Sequence, residues 1–213
     1  MKKFITFLSR RRGDELLAGI YRSVTNPKVQ TDFAVHFPIA ALMNGYAQQG
    51  EEITVVTLYP EGNEAYESSR QALEEDIRVV QARCGFTYNI LPIAISEQEL
   101  AYEHLQTYSR LLDAIEDGDE LYVCCTFGTK PTPIIEMMAV NSAYKLKKDV
   151  AIGCVVYGKV EFYAEPKIFT IYDITSLFYM TQIANELADQ GIGNPGQAIR
   201  RILQIDAFME EDG

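Results

Sequence analysis

Hydrophobic positions in this chain alternate between two spacings, and the switch between them marks out a β–α order. Lys3 to Ser9, rich in Phe, Ile and Thr, reads as a strand, and a charged loop containing Gly13, Asn26 and Pro27 follows. Pro38 suits the first turn of a helix; Ile39, Leu42, Met43 and Tyr46 then recur at helical spacing until Gly50. Glu52 to Tyr59 is a second strand, closed by Pro60 and Gly62. Tyr66, Leu73, Ile77, Val80 and Cys84 mark one face of a long helix ending at Gly85. Phe86 to Ile95 is a third strand, with Pro92 near its end. Ser96 and Glu99 form a capping-box pair ahead of a helix bearing Leu100, His104, Tyr108, Leu111 and Ile115. Leu121 to Thr126 is an unbroken apolar run, the pattern of a strand covered on both faces. A turn and a helix with Ile134, Ile135, Met138 and Ala139 lead to a long fifth strand, Val150 to Phe162.

Only Tyr163-Ala164-Glu165-Pro166 separate that strand from a sixth, Lys167 to Tyr172. So short a link holds no crossover helix, so the last two strands should pair antiparallel. Two helices, near 176–189 and 197–209, finish the chain. The order predicts one α/β domain over residues 1–213, Rossmann-like, with a mostly parallel six-stranded sheet, an antiparallel edge strand and helices on both faces. Such sheets bind ligands beyond the carboxyl ends of their strands, where the strand order reverses.

Composition narrows the class. The 213 residues suffice for one core and are few for two. No apolar run approaches the roughly 18 residues of a membrane-spanning helix. The N-terminal stretch imitates a signal peptide, but Arg10, Arg11 and Arg12 stand where a small-residue cleavage site should be. Cys84, Cys124, Cys125 and Cys154 have neither disulfide-framework nor zinc-ligand spacing, so buried thiols in a reducing, cytoplasmic setting are expected. With two histidines, His36 and His104, outside any ligand-like cluster, no metal is expected. Gly191-Ile192-Gly193 falls between two late helices, so it is not a dinucleotide fingerprint, and no cofactor is expected. The net charge of −11 argues against long DNA or RNA but not against a small anionic ligand, for which a few local cations and amides suffice.

Four segments could carry chemistry. In Thr126-Phe127-Gly128-Thr129-Lys130-Pro131-Thr132-Pro133, Gly128 lets amides approach an anion, Lys130 adds charge, and Thr126, Thr129 and Thr132 add hydroxyls at a helix start. The bland alternative is an ordinary turn with a solvated lysine. Ser9-Arg10-Arg11-Arg12-Gly13 leaves the same end of the first strand, and arginine forks match phosphate oxygens; a solvated basic patch is the alternative. In Tyr157-Gly158-Lys159-Val160-Glu161 a glycine inside a strand signals a bulge or a close backbone approach. Asp173 or Thr175 most simply caps the next helix. His36, between Val35 and Phe37, suggests packing or a simple polar contact rather than catalysis.

Three of these segments, in order, resemble the CARF family, the CRISPR-associated Rossmann-fold domains. The match is to the branch with a Thr-x-Gly-x-Arg/Lys-x-x-Pro turn after strand four, here Thr126 to Pro133. That branch continues with Tyr-Gly-x-x-Glu, here Tyr157 to Glu161, and an Asp-hydrophobic-Thr step, here Asp173-Ile174-Thr175. The resemblance implies a homodimer that binds a cyclic oligoadenylate, the second messenger of type III CRISPR immunity, across its two-fold interface. It implies ligand contacts from Ser9, Arg10, Gly128, Thr129 and Lys130, to which the side-chain chemistry of the same two loops adds Arg11, Thr126 and Thr132. Some members cleave the ring without a metal, the ribose 2′-hydroxyl attacking the adjacent phosphate; Ser9 and Lys130 would then position groups and stabilise charge. The chain departs from the family in showing no attached effector and in carrying Phe127 where the branch often has histidine. The competing reading is a Rossmann-like enzyme acting on a nucleotide or sugar phosphate, whose general acid or base would be Glu161, Asp173 or His36.

Overall fold

The computed structural model describes residues 1–11, 15–62, 65–96 and 98–201. Arg12 and Gly13, and the part of the predicted last helix beyond residue 201, lie outside the described residues. The chain divides into two compact units, Met1–Ile174 and Thr175–Gly213.

The first unit is an α/β Rossmann-like domain. Its elements run β1 (Lys2–Phe7), β2 (Arg22–Ser23), α1 (Ile39–Tyr46), β3 (Glu52–Pro60), α2 (Tyr66–Cys84) and β4 (Thr87–Ile95). They continue through α3 (Ala101–Asp113), β5 (Glu120–Cys124), α4 (Thr132–Leu146), β6 (Ala151–Glu161) and β7 (Ile168–Asp173). The second unit contains α5 (Thr175–Asp189), and helical backbone resumes over 195–201.

The sheet has seven strands in the order β2-β7-β6-β5-β1-β3-β4, not the six expected. The added strand, β2, is two polar residues long, too short to show a period, and it pairs parallel with β7. The β6–β7 pair is antiparallel, as the short link requires, yet β7 is not an edge strand because β2 lies outside it. All other pairings are parallel. Pro92 sits in β4, at the opposite edge, where a missing N–H breaks no ladder.

Alternation distributes the core. Phe4, Leu8, Ile53, Val55, Tyr122, Cys124, Cys154 and Val156 face one side and pack with Leu42, Met43, Leu73, Ile77 and Val80 of α1 and α2. Ile5, Phe7, Val56, Leu58, Leu121 and Val123 are equally buried on the other side of the strands. There α3 and α4 pack against each other. The predicted capping box takes a different form. Helix α3 starts at Ala101, and Glu103 rather than Glu99 reaches back to the Leu100 N–H, while Ser96 Oγ donates to Glu103 at 2.7 Å.

The thiols of Cys124, Cys125 and Cys154 are buried and all four cysteines are free. One burial is costly: Glu136 of α4 is fully enclosed, with the buried Cys125 thiol as the polar group set against its carboxyl. Desolvation pushes its pKa well up, which favours the protonated acid.

Candidate functional site

Strand order reverses between β1 and β5, since β3 and β4 extend one way from β1 and β6 the other. The carboxyl ends of β1, β5 and β6 therefore diverge around a gap, and a cleft of about 380 Å³ lies there. Ser9, Arg10 and Arg11 line it from β1, Thr126, Phe127 and Gly128 from β5, and Tyr157 to Val160 from β6. Its size is within the range of about 300–1,000 Å³ typical of small-molecule sites. The two exit loops that the sequence singled out thus share one cavity.

The loop after β1 is shaped by its own serine. Ser9 Oγ accepts the Arg11 N–H at 3.1 Å, and Ser9 is only 4% exposed. The bend turns Arg10 and Arg11 outward, both exposed. The Arg11 guanidinium carbon lies 6.0 Å from the ring centroid of Phe162, which also borders the cleft.

The Gly128 turn depends on that glycine. Its φ is +105°, and a Cβ there would come within 2.5 Å of Thr132 Cγ2. The turn spends its hydroxyls on itself: Thr132 Oγ1 accepts the Thr129 N–H at 3.0 Å and lies 3.1 Å from Thr129 Oγ1. The Thr132 N–H returns to the Thr129 carbonyl at 3.0 Å. Pro131 and Pro133 contribute no N–H, so the start of α4 offers fewer amides than its motif suggests. Thr129 and Thr132 line a second cavity of about 30 Å³, shared with Arg10, Gly128 and His104. Lys130 is exposed and lines neither cavity.

Gly158 answers the question its position raised. A Cβ on it would stand 2.3 Å from Pro38 Cγ, so the close approach is to the segment ahead of α1. Thr126 Oγ1 accepts the Gly158 N–H at 2.8 Å, tying β6 to the end of β5. Beyond it, Lys159 pairs with Glu161 at 2.9 Å on the surface. Asp173 accepts from Asn26 Nδ2 at 2.6 Å, joining the loop ahead of α1 to β7.

His36, which its apolar neighbours suggested for packing and which remained a thin acid–base candidate, lies at this site. It lines the cleft beside Phe127 and Gly158. Its Nδ1 lies 3.0 Å from Asp76 Oδ1, and Asp76 Oδ2 accepts the N–H groups of His36 and Phe37, each at 2.8 Å. Asp76 belongs to α2 and is 3% exposed. The hydrogen bond to Asp76 raises the His36 pKa above its ordinary 6.5, against the opposing effect of burial. Burial pushes the Asp76 carboxyl upward, opposed by its donors from His36 and Phe37. A trace of this pair is present in the sequence. Asp76 falls on the stripe Ser69, Ala72, Leu73, Ile77 and Val80 that α2 buries, and an acid there needs a partner.

Among the described residues no cluster of His, Cys, Asp and Glu could hold a metal ion, and no helix is long and apolar enough to cross a membrane. No protein-family model matches the chain, and no curated protein matches it.

Proposed function

We propose that the chain is a CARF-like protein that binds a cyclic oligoadenylate in type III CRISPR signalling, as a homodimer with the ring spanning two clefts. The observation that carries this reading is the shared cleft at the strand-order reversal, where Arg10 and Arg11 meet the Thr126-Phe127-Gly128 turn and the Tyr157-Gly158 strand end. Guanidinium groups suit phosphodiester oxygens bidentately, and the rings of Tyr157, Phe127 and Phe162 offer faces for adenine. A cavity of about 380 Å³ in each protomer fits part of a ring, so two-fold symmetry completes the site.

Arg10 and Arg11 now stand ahead of Lys130 as the phosphate contacts, because they line the cleft and Lys130 does not. Calorimetry with rings of three, four and six adenylates tests the reading. Binding of one ring at one per dimer, weakened at least tenfold by Arg10→Ala together with Arg11→Ala, is expected. The absence of binding by all three rings overturns it. A second reading, an enzyme acting on a linear nucleotide or sugar phosphate, is favoured by one observation, the paired imidazole of His36 in the cleft. Retention of a linear nucleotide through purification, with no affinity for rings, would select it.

A further inference from the structure

We propose that His36, oriented by Asp76, is the proton-transfer group of the cleft. This rests on the reading above. Asp76 Oδ1 lies 3.0 Å from His36 Nδ1 and takes its proton as a hydrogen bond, which selects the tautomer whose Nε2 carries the lone pair. Nε2 has no hydrogen-bond partner among the described residues, and the ring is about a quarter exposed at the cleft wall. The other carboxylate oxygen holds the backbone N–H groups of His36 and Phe37, so ring and main chain are fixed by one buried group. A histidine needed only for packing would not require this. The arrangement of buried acid, imidazole and open cavity is the general-base pattern.

The reaction available to such a base and a ribose phosphodiester is transesterification. His36 Nε2 takes the proton of a ribose 2′-hydroxyl. The 2′-oxygen forms a bond to the adjacent phosphorus, and the bond from phosphorus to the 5′-oxygen breaks. The departing oxygen takes a proton from solvent, and the imidazolium later returns its own. The products are a 2′,3′-cyclic phosphate end and a 5′-hydroxyl end, with no co-reactant. Arg10 and Arg11, on the same cleft, oppose the charge that develops on the phosphorane oxygens.

His36 must be neutral to act, and several charged groups set where that happens. Asp76 and Glu75 come from α2, Arg10, Arg11 and Glu15 from the stretch after β1, and Lys159 from β6, with the Tyr21 hydroxyl also in the cleft.

The test is single-turnover cleavage of labelled cyclic tetra-adenylate, and of the three- and six-membered rings, alongside calorimetry on the same preparations. Wild-type cleavage should rise with pH through an inflection above the ordinary 6.5 of histidine. His36→Gln should bind the ring within about threefold of wild type, lose the inflection, and cleave about 10²–10⁴-fold more slowly. Asp76→Asn, checked for folding by circular dichroism, should cleave slowly and shift any remaining inflection downward. Wild-type rates in His36→Gln overturn the assignment. Ring binding with no cleavage by the wild type at any pH overturns it too, and leaves the binding reading standing. Failure to bind any ring overturns both.

Discussion

Two segments that border the cleft, the Gly128 turn and the chain around His36, are built on opposite plans. The Gly128 turn is satisfied from within: Thr129 and Thr132 bond each other, two prolines remove donors, and one glycine supplies the left-handed bend. The His36 segment has no such local partners. Its ring and two consecutive amides all rely on Asp76, forty residues away on α2. A turn of the first kind is set by neighbouring residues and carries a readable motif. A segment of the second kind is set by one carboxylate from another element, and its function is visible only after folding.

The strongest challenge to that contrast is Gly128→Val. The new side chain meets both a φ of +105° and Thr132 at under 3 Å, so a loss of more than about 3 kcal/mol is expected in urea denaturation. A loss under about 1 kcal/mol would mean that the turn is not held by its glycine. Asp76→Ala comes next, at about 2–4 kcal/mol, because it leaves the Phe37 amide buried without an acceptor. The same variant should move the His36 titration, followed by NMR, down from its raised position toward 6.5. The sign for stability follows from that shift. The His36–Asp76 contribution is complete below 6.5 and is lost as pH rises through the raised folded value. A pH–stability profile of wild type minus Asp76→Ala that is flat across this window would break the comparison.

The remaining effects, along α4 and at the turn's other residues, should be smaller. Glu136→Met, one turn into α4, removes a fully buried carboxyl and should stabilise by about 1–3 kcal/mol at neutral pH. Because burial raises the Glu136 pKa, its stability term is present below the ordinary 4.5 and is lost as pH rises. The gain from Glu136→Met should therefore grow with pH, which thermal melts at pH 5 and pH 8 would read. Thr132→Val deletes the acceptor of the Thr129 amide and should cost about 1 kcal/mol. Lys130→Ala should change stability by less than about 0.5 kcal/mol, and ring affinity by less than either cleft arginine does. A larger loss of affinity for Lys130→Ala than for Arg10→Ala would restore the lysine as the principal phosphate contact.

The order of strands and helices was legible because hydrophobic period reports local geometry, and most elements here are long enough to show it. The antiparallel β6–β7 pairing was legible too, since the six residues between Glu161 and Ile168 leave no room for a crossover. The seventh strand was not, because Arg22 and Ser23 have neither length nor period and owe their state to β7 alongside them. The capping box was misplaced by one turn for a similar reason. Ser96 and Glu99 have the right spacing, but buried Glu103 is the acid that meets both Ser96 and Leu100.

By itself the amino-acid sequence determined the parallel α/β frame, the glycine-dependent turn after β5 and the basic loop after β1, since each rests on contacts among near neighbours. Only the tertiary structure decided that those two loops share a cavity, that Lys130 stands outside it, and that His36 is held within it by Asp76. Those outcomes depend on strand order and on a helix packing across the sheet. A buried carboxylate is satisfied by whichever donors the fold delivers to it, and spacing along the chain does not name them.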